Sequence, residues 1–187
     1  MIIQPFDFSY NFLEDLSANA KSIYKIGAVE IATNKTLPEH ILLKPKSFLA
    51  KFFMKGRKMV YLNDLVDELK RLFCVHPRTI LLAILPHYVL GFGESLVGLT
   101  PEPCISIVST YKIDKKHLFK ACVGISLHEI GHNLGLEHCK VKGCLMKTPC
   151  KPENFYEGVY MLCRKHQLEV EKLSLKNNDC AMHLPNT

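Results

Sequence analysis

The chain has 187 residues, 24 lysines and arginines against 18 acidic residues, and a hydrophobic fraction of 48%. That apolar content excludes a disordered chain, and the length suits one domain with a sizeable core, or one domain in two lobes around a cleft. The net charge of +6 is spread along the sequence without an aromatic–basic motif, which argues against nucleic acid as a partner, and no run approaches the ~20 apolar residues needed to span a membrane.

The first residues, Met1 to Phe6, have neither a basic start nor a long apolar segment, so they do not read as a signal peptide, and the expected location is the cytoplasm. Eight cysteines in a reducing compartment point to metal ligands and buried thiols rather than disulfides. Residues 2–6 read as a short strand, and 10–20 as a helix with Phe12, Leu13 and Leu16 on one side. Residues 23–32 are β-rich and end at the turn-like Thr33-Asn34-Lys35. The basic stretch 44–58 is broken by Pro45 and Gly56 and reads as a loop, either a lid or an insertion. Residues 59–73 carry Leu62, Leu65, Val66, Leu69 and Leu72 at helical spacing, with Asp64, Asp67 and Glu68 between them.

The continuous apolar run 79–85 suits a strand covered on both faces, and Pro86-His87 breaks it. An extended segment begins at Gly91-Phe92-Gly93-Glu94, and 104–110 reads as a further strand. Asp114 is a fair N-cap for a helix over 115–134. Apolar residues run almost all the way round that helix, so it should be central and buried. Residues 156–175 read as a last helix with Leu162, Leu168 and Leu173 apolar, followed by a loose tail. Cys74, Cys104 and Cys122 sit in apolar surroundings and read as core filler. His40, His76, His87 and His117 lie outside any ligand spacing and read as surface or satisfied core histidines.

The chemistry concentrates in His128-Glu129-Ile130-Gly131-His132-Asn133-Leu134-Gly135-Leu136-Glu137-His138, an H-E-x-x-H extended to H-E-x-x-H-x-x-G-x-x-H. His128 and His132 are four apart and share one helix face, so both imidazoles can bind one Zn²⁺. Gly135 can take φ > 0, end the helix and swing His138 round as a third ligand. Three protein ligands leave one position for water, the arrangement of a catalytic site. Glu129, beside the first histidine, is placed as the base for that water. A carboxylate in so apolar a helix would be costly unless it faced a wet cleft or a cation.

This motif and the run that follows it, His138-Cys139, four residues, Cys144, one residue and Met146, resemble the archaemetzincin family of metzincin metallopeptidases. The likeness is close over 126–146. It is looser at Phe92-Gly93-Glu94 and at Ser106-Ile107-Val108-Ser109, which look like the family's strands before the active-site helix. The resemblance implies an α+β, metzincin-like (zincin) fold: a mixed twisted sheet, a backing helix, an active-site helix and a small zinc-stabilised C-terminal lobe. It implies one catalytic domain over 1–187, with 1–135 and 136–187 as its subdomains. Met146 would be the Met-turn residue, packed beneath the histidines. The segment 92–100 would be the edge strand that pairs with substrate backbone, against the alternative of an ordinary covered strand.

The family also implies a second, cysteine-rich structural zinc site. Here the matching residues are Cys139, Cys144, Cys163 and His166, with histidine standing where the family pattern has a fourth cysteine. Cys3His is an accepted zinc set. Cys150, or the tail pair Cys180 and His183, are alternatives for the fourth ligand. The expectation is therefore a monomeric zinc peptidase with two zinc ions per chain and a peptide or protein substrate. The rival is a zinc-stabilised binding or regulatory protein whose catalytic site is closed.

Overall fold

A computed structural model describes residues 1–7, 11–43, 58–73, 79–91 and 97–181, the side chains of 175–181 excepted. The expectations for 44–57, Cys74, His76, 92–96, Cys180 as a ligand and His183 lie outside what is described.

A five-stranded mixed sheet organises the chain. Its order is β2 (Glu30–Ile31), β1 (Ile2–Pro5), β5 (Leu81–Leu85), β8 (Ile105–Ser109) and β7 (Gly98–Glu102). All neighbours are parallel except β7, which runs antiparallel to β8 and, among the described residues, forms one edge. A smaller sheet joins β3 (Leu42–Leu43), β4 (Met59–Tyr61) and β6 (Tyr88–Leu90).

β5 is buried along its whole length, as its unbroken apolar run requires of a strand with both faces covered. Its residues alternate between two cores. Leu82 and Ile84 join a core with α1 (Leu13–Tyr24) and α3 (Leu118–Asn133), while Leu81, Ala83 and Leu85 join one with α2 (Leu62–Leu72). α3 is buried without interruption from Ala121 to Gly131, so it is the central helix its composition calls for. A 3₁₀ turn at Pro152–Phe155 then packs on α3, and α4 (Arg164–Ala181) closes the chain.

Several boundaries move, each for a local reason. Residues 59–61 are strand, not helix, because Met59, Val60 and Tyr61 pair with Tyr88, Val89 and Leu90 before α2 starts. Residues 23 and 24 extend α1, which ends where Lys25 turns left-handed (φ 57°), leaving only Glu30–Ile31 of the β-rich stretch as strand. Asp114 caps a preceding turn, accepting from Lys116 N at 3.1 Å, and α3 begins four residues after it. The last helix begins at Arg164, eight residues after the expected start, beyond a left-handed Gly158 (φ 74°). Cys104 is not core filler: it sits half-buried in the β7–β8 turn at φ 68°. Cys122 is fully buried as expected. His87 is a satisfied core histidine, 2.9 Å from Asp7 Oδ2 and accepting from Lys58 N at Nδ1. His117 stacks on Tyr156 at 3.9 Å between ring centroids.

Candidate active site

The end of α3 sets the geometry. Gly135 adopts φ 82°, Gly135 N–H bonds His132 O and Leu136 N–H bonds Gly131 O, a Schellman close that reverses the chain. That turn carries His138 back over the helix. The Nε2 atoms of His128, His132 and His138 lie 3.1 Å (128–132), 3.0 Å (132–138) and 3.2 Å (128–138) apart.

Two carbonyls orient these rings. His128 Nδ1 is 2.6 Å from Leu145 O and His132 Nδ1 is 3.1 Å from Leu136 O. Each Nδ1–H donates to its carbonyl, so each Nε2 is left as a bare acceptor. Lone pairs this close repel unless a cation lies between them. Four-coordinate zinc at ~2.0–2.1 Å from nitrogen would separate two ligands by about 3.3 Å, close to what is seen. Burial, with neighbouring imidazoles adding, holds His128 down to about 4, and burial likewise lowers His132. Both are therefore neutral near pH 7, as ligation requires.

Met146 is fully buried, with its thioether against Gly131 of α3. A Cβ at Gly131 would lie 2.5 Å from Met146 Sδ and 3.0 Å from Tyr24 Oη, so a side chain there would have to displace the thioether. Tyr24 Oη donates to Leu127 O at 2.6 Å, tying α1 to the active-site helix.

Glu129 points into a cleft of about 710 Å³ that the three histidines also line. Burial pushes its carboxyl up to about 7, against the opposing pull of the Thr100 hydroxyl. A cation held between the three imidazoles would oppose that rise by favouring the carboxylate. β7 forms one wall. Ser109 N bonds Val97 O at 2.8 Å, and Gly98 and Leu99 face Val108 and Ile107. The backbone N–H and C=O of Gly98 therefore face away from β8, the pairing shifts register between Leu99 and Glu102, and among the described residues no strand pairs with that side. Pro101 has no N–H to offer beyond them.

A second donor set forms beside the first. One ligand atom each from Cys139, Cys144, Cys163 and His166 lie within 4.8 Å of one another. His166 Nδ1 is 3.3 Å from Cys144 Sγ and 3.4 Å from Cys163 Sγ. The side chain of His166 is fully buried, and its Nε2 has no hydrogen-bond partner, with Glu169 Oε2 at 3.8 Å. Cys163 immediately precedes α4. Burial alone would raise its thiol, yet backbone N–H groups of His166 and Lys165 and the neighbouring cysteines bring it below the usual value. Burial pushes the Cys144 thiol up to about 11. Thiolates here would call for a cation, and three sulfurs with one imidazole suit zinc. Cys150 is not in this set: it lines the histidine cleft, and burial pushes its thiol up to about 12.

The two sets share a backbone. His138 and Cys139 are consecutive, and Cys144 lies next to Leu145, whose carbonyl holds His128. Spacing in the sequence brings out His128, His132, His138 and Glu129, and the family resemblance points to Cys139, Cys144, Cys163 and His166. Spacing misses Thr100, Ser106 and Gly98, which meet Glu129 or its carbonyl, and Asn133, which donates to Ser106, because neutral polar residues and glycines scattered over 98–133 carry no periodic signal.

A family model described as Peptidase family M54 matches residues 57–172. The archaemetzincin of Saccharolobus solfataricus is 35% identical over 63 residues, so the match spans 34% of this chain and only 34% of that protein. The archaemetzincin structure from Methanopyrus kandleri has a TM-score of 0.64 at 18% identity, covering 94% of this chain and 96% of that one. A zinc-dependent peptidase from Methanocorpusculum labreanum has a TM-score of 0.63 at 17% identity, covering 91% and 100%. The Archaeoglobus fulgidus archaemetzincin has a TM-score of 0.63 at 16% identity, covering 90% and 98%. At these identities the structural likenesses speak for a shared α+β, mixed-sheet fold. The family model spans more than half of the sequence, and on that ground the chain belongs to Peptidase family M54, a family of zinc metallopeptidases.

Proposed function

We propose that this chain hydrolyses peptide bonds at the His128, His132 and His138 cluster, with Glu129 as the general base and acid. The observation that carries this reading is the convergence of three Nε2 atoms, all within 3.2 Å of one another, beside a carboxylate in an open cleft. The three imidazoles would hold zinc, which when bound would supply Lewis acidity toward a water and a carbonyl. Glu129 takes the proton of that water and returns it to the leaving amine. The outward N–H and C=O groups of Gly98 pair with an extended substrate backbone. Cys139, Cys144, Cys163 and His166 hold a second, structural zinc, which supports a metzincin-like core over 1–135 with a zinc-stabilised lobe over 136–187.

The rival reading, a binding protein with a closed site, needs a protein side chain to fill the cleft. Among the described residues the three histidines and Glu129 open onto it. The test compares wild type with Glu129→Gln on a mixed peptide library in zinc-replete buffer. Cleavage by wild type alone supports the assignment, and equal cleavage by both removes Glu129 as the base.

A further inference from the structure

The base of this site is a flexible side chain, and two residues of β7 hold it. Gly98 and Thr100 are two apart on one strand, so they face the same way, onto α3. Thr100 Oγ1 is 2.9 Å from Glu129 Oε2, and also 3.1 Å from Glu129 O. Gly98 meets the other oxygen: a Cβ there would lie 2.8 Å from Glu129 Oε1 and 2.7 Å from Ile125 Cγ2. Behind Thr100, Ser106 Oγ lies 3.0 Å from Thr100 Oγ1 and 3.2 Å from Glu129 O, and Asn133 Nδ2 donates to Ser106 Oγ.

The protons can be assigned. The Thr100 hydroxyl has one proton, and the carboxylate is its stronger acceptor. Asn133 fills one acceptor site of Ser106, whose own proton then goes to Glu129 O or Thr100 Oγ1. Both hydroxyls thus donate once, and the chain ends on the carboxylate.

We propose that Thr100 is a positioning residue that anchors Oε2 of Glu129, while the bare Cα of Gly98 makes room for Oε1 as the oxygen that works on the reacting water. This deepens the peptidase reading and rests on it. A glutamate left unanchored would spread over several rotamers, and few of them would aim at the metal-bound face of the cleft.

The test uses zinc-loaded Thr100→Val, Thr100→Ser and Gly98→Ala beside wild type, with kinetics, zinc content and crystal structures of each. Thr100→Val keeps the shape and removes the hydroxyl, so kcat should fall about tenfold or more while KM stays within about twofold. Thr100→Ser keeps the hydroxyl and should retain at least about a third of kcat. Zinc content should match wild type in both. In the crystals the Glu129 carboxylate should leave its place in Thr100→Val and in Gly98→Ala, and keep it in Thr100→Ser. Wild-type kcat in Thr100→Val, or an unmoved carboxylate in both Thr100→Val and Gly98→Ala, overturns the proposal. If wild type itself shows no Glu129-dependent cleavage, the peptidase reading fails instead, and the carboxylate positions still decide what Thr100 does.

Discussion

Adding one methyl group at Gly124 sets two known effects against each other. Gly124 lies in the middle of α3, where glycine to alanine normally stabilises a helix by about 1 kcal/mol. Here the new Cβ would fall 2.2 Å from Phe155 Cγ and 2.4 Å from Phe155 Cδ1. Phe155 is buried and its ring is rigid, so it cannot yield as the end of a flexible chain would. Overpacking of this kind costs about 1–3 kcal/mol, and contacts this short belong at the upper end. The net expectation for Gly124→Ala is a loss of about 1–2 kcal/mol. For a chain of this size that is a fall in melting temperature of about 2–8 °C. Phe155→Ala alone should cost about 3–5 kcal/mol by leaving a cavity. In that background the clash is gone, and Gly124→Ala should reverse sign and raise the melting temperature by about 2–4 °C. The assay is thermal unfolding of the four proteins at one fixed free-zinc concentration, since bound metal shifts the midpoint. A higher melting temperature for the single Gly124→Ala variant would refute the reasoning, because Phe155 would then not pin the 152–155 turn onto the active-site helix.

Cys144→Ser should lose one zinc equivalent and lower the melting temperature more than His138→Ala does, because Cys144 is buried and His138 is exposed. Metal analysis that still finds two zincs in Cys144→Ser would break the ligand assignment. A third expectation concerns pH. Arg71 bonds both oxygens of Glu68, at 2.6 and 2.8 Å, and holds its carboxyl below the ordinary value of 4.5. The folded value is the lower one, so the pair's contribution is fully present above about pH 4.5 and is lost as pH falls through the folded value. The stability difference between wild type and Glu68→Gln should therefore be level from pH 6 to 8 and shrink below about 4.5 in urea titrations. A difference that grows on acidification would contradict the sign.

The site's ligands were legible because metal chemistry repeats in sequence. His128 and His132 sit one helical turn apart, and Gly135 with φ 82° marks the turn that returns His138. Cys163 and His166 were legible through the family resemblance, and the structure brings them together because α4 starts between them, which puts positions three apart on one side. The anchors of Glu129 were not legible. Thr100, Ser106 and Asn133 come from two strands and a helix, and only the β7–β8 register brings them together. Gly98 and Gly124 carry no signal of their own in the sequence, and their close contacts with Glu129 and Phe155 are tertiary facts. Residues 59–61 failed differently. Met59, Val60 and Tyr61 fit a helical phase as well as a strand one, and pairing with Tyr88, Val89 and Leu90 decides between them.

Every functional statement above depends on two donor sets of this chain closing on metal. Zinc counted on protein purified without chelators, for wild type and for the double variant His128→Ala with His132→Ala, tests this most directly. The expected counts are two per chain and one per chain, with peptide cleavage lost in the variant. A wild type with no zinc even after dialysis against it, or a variant that still holds two, would contradict the account at its base.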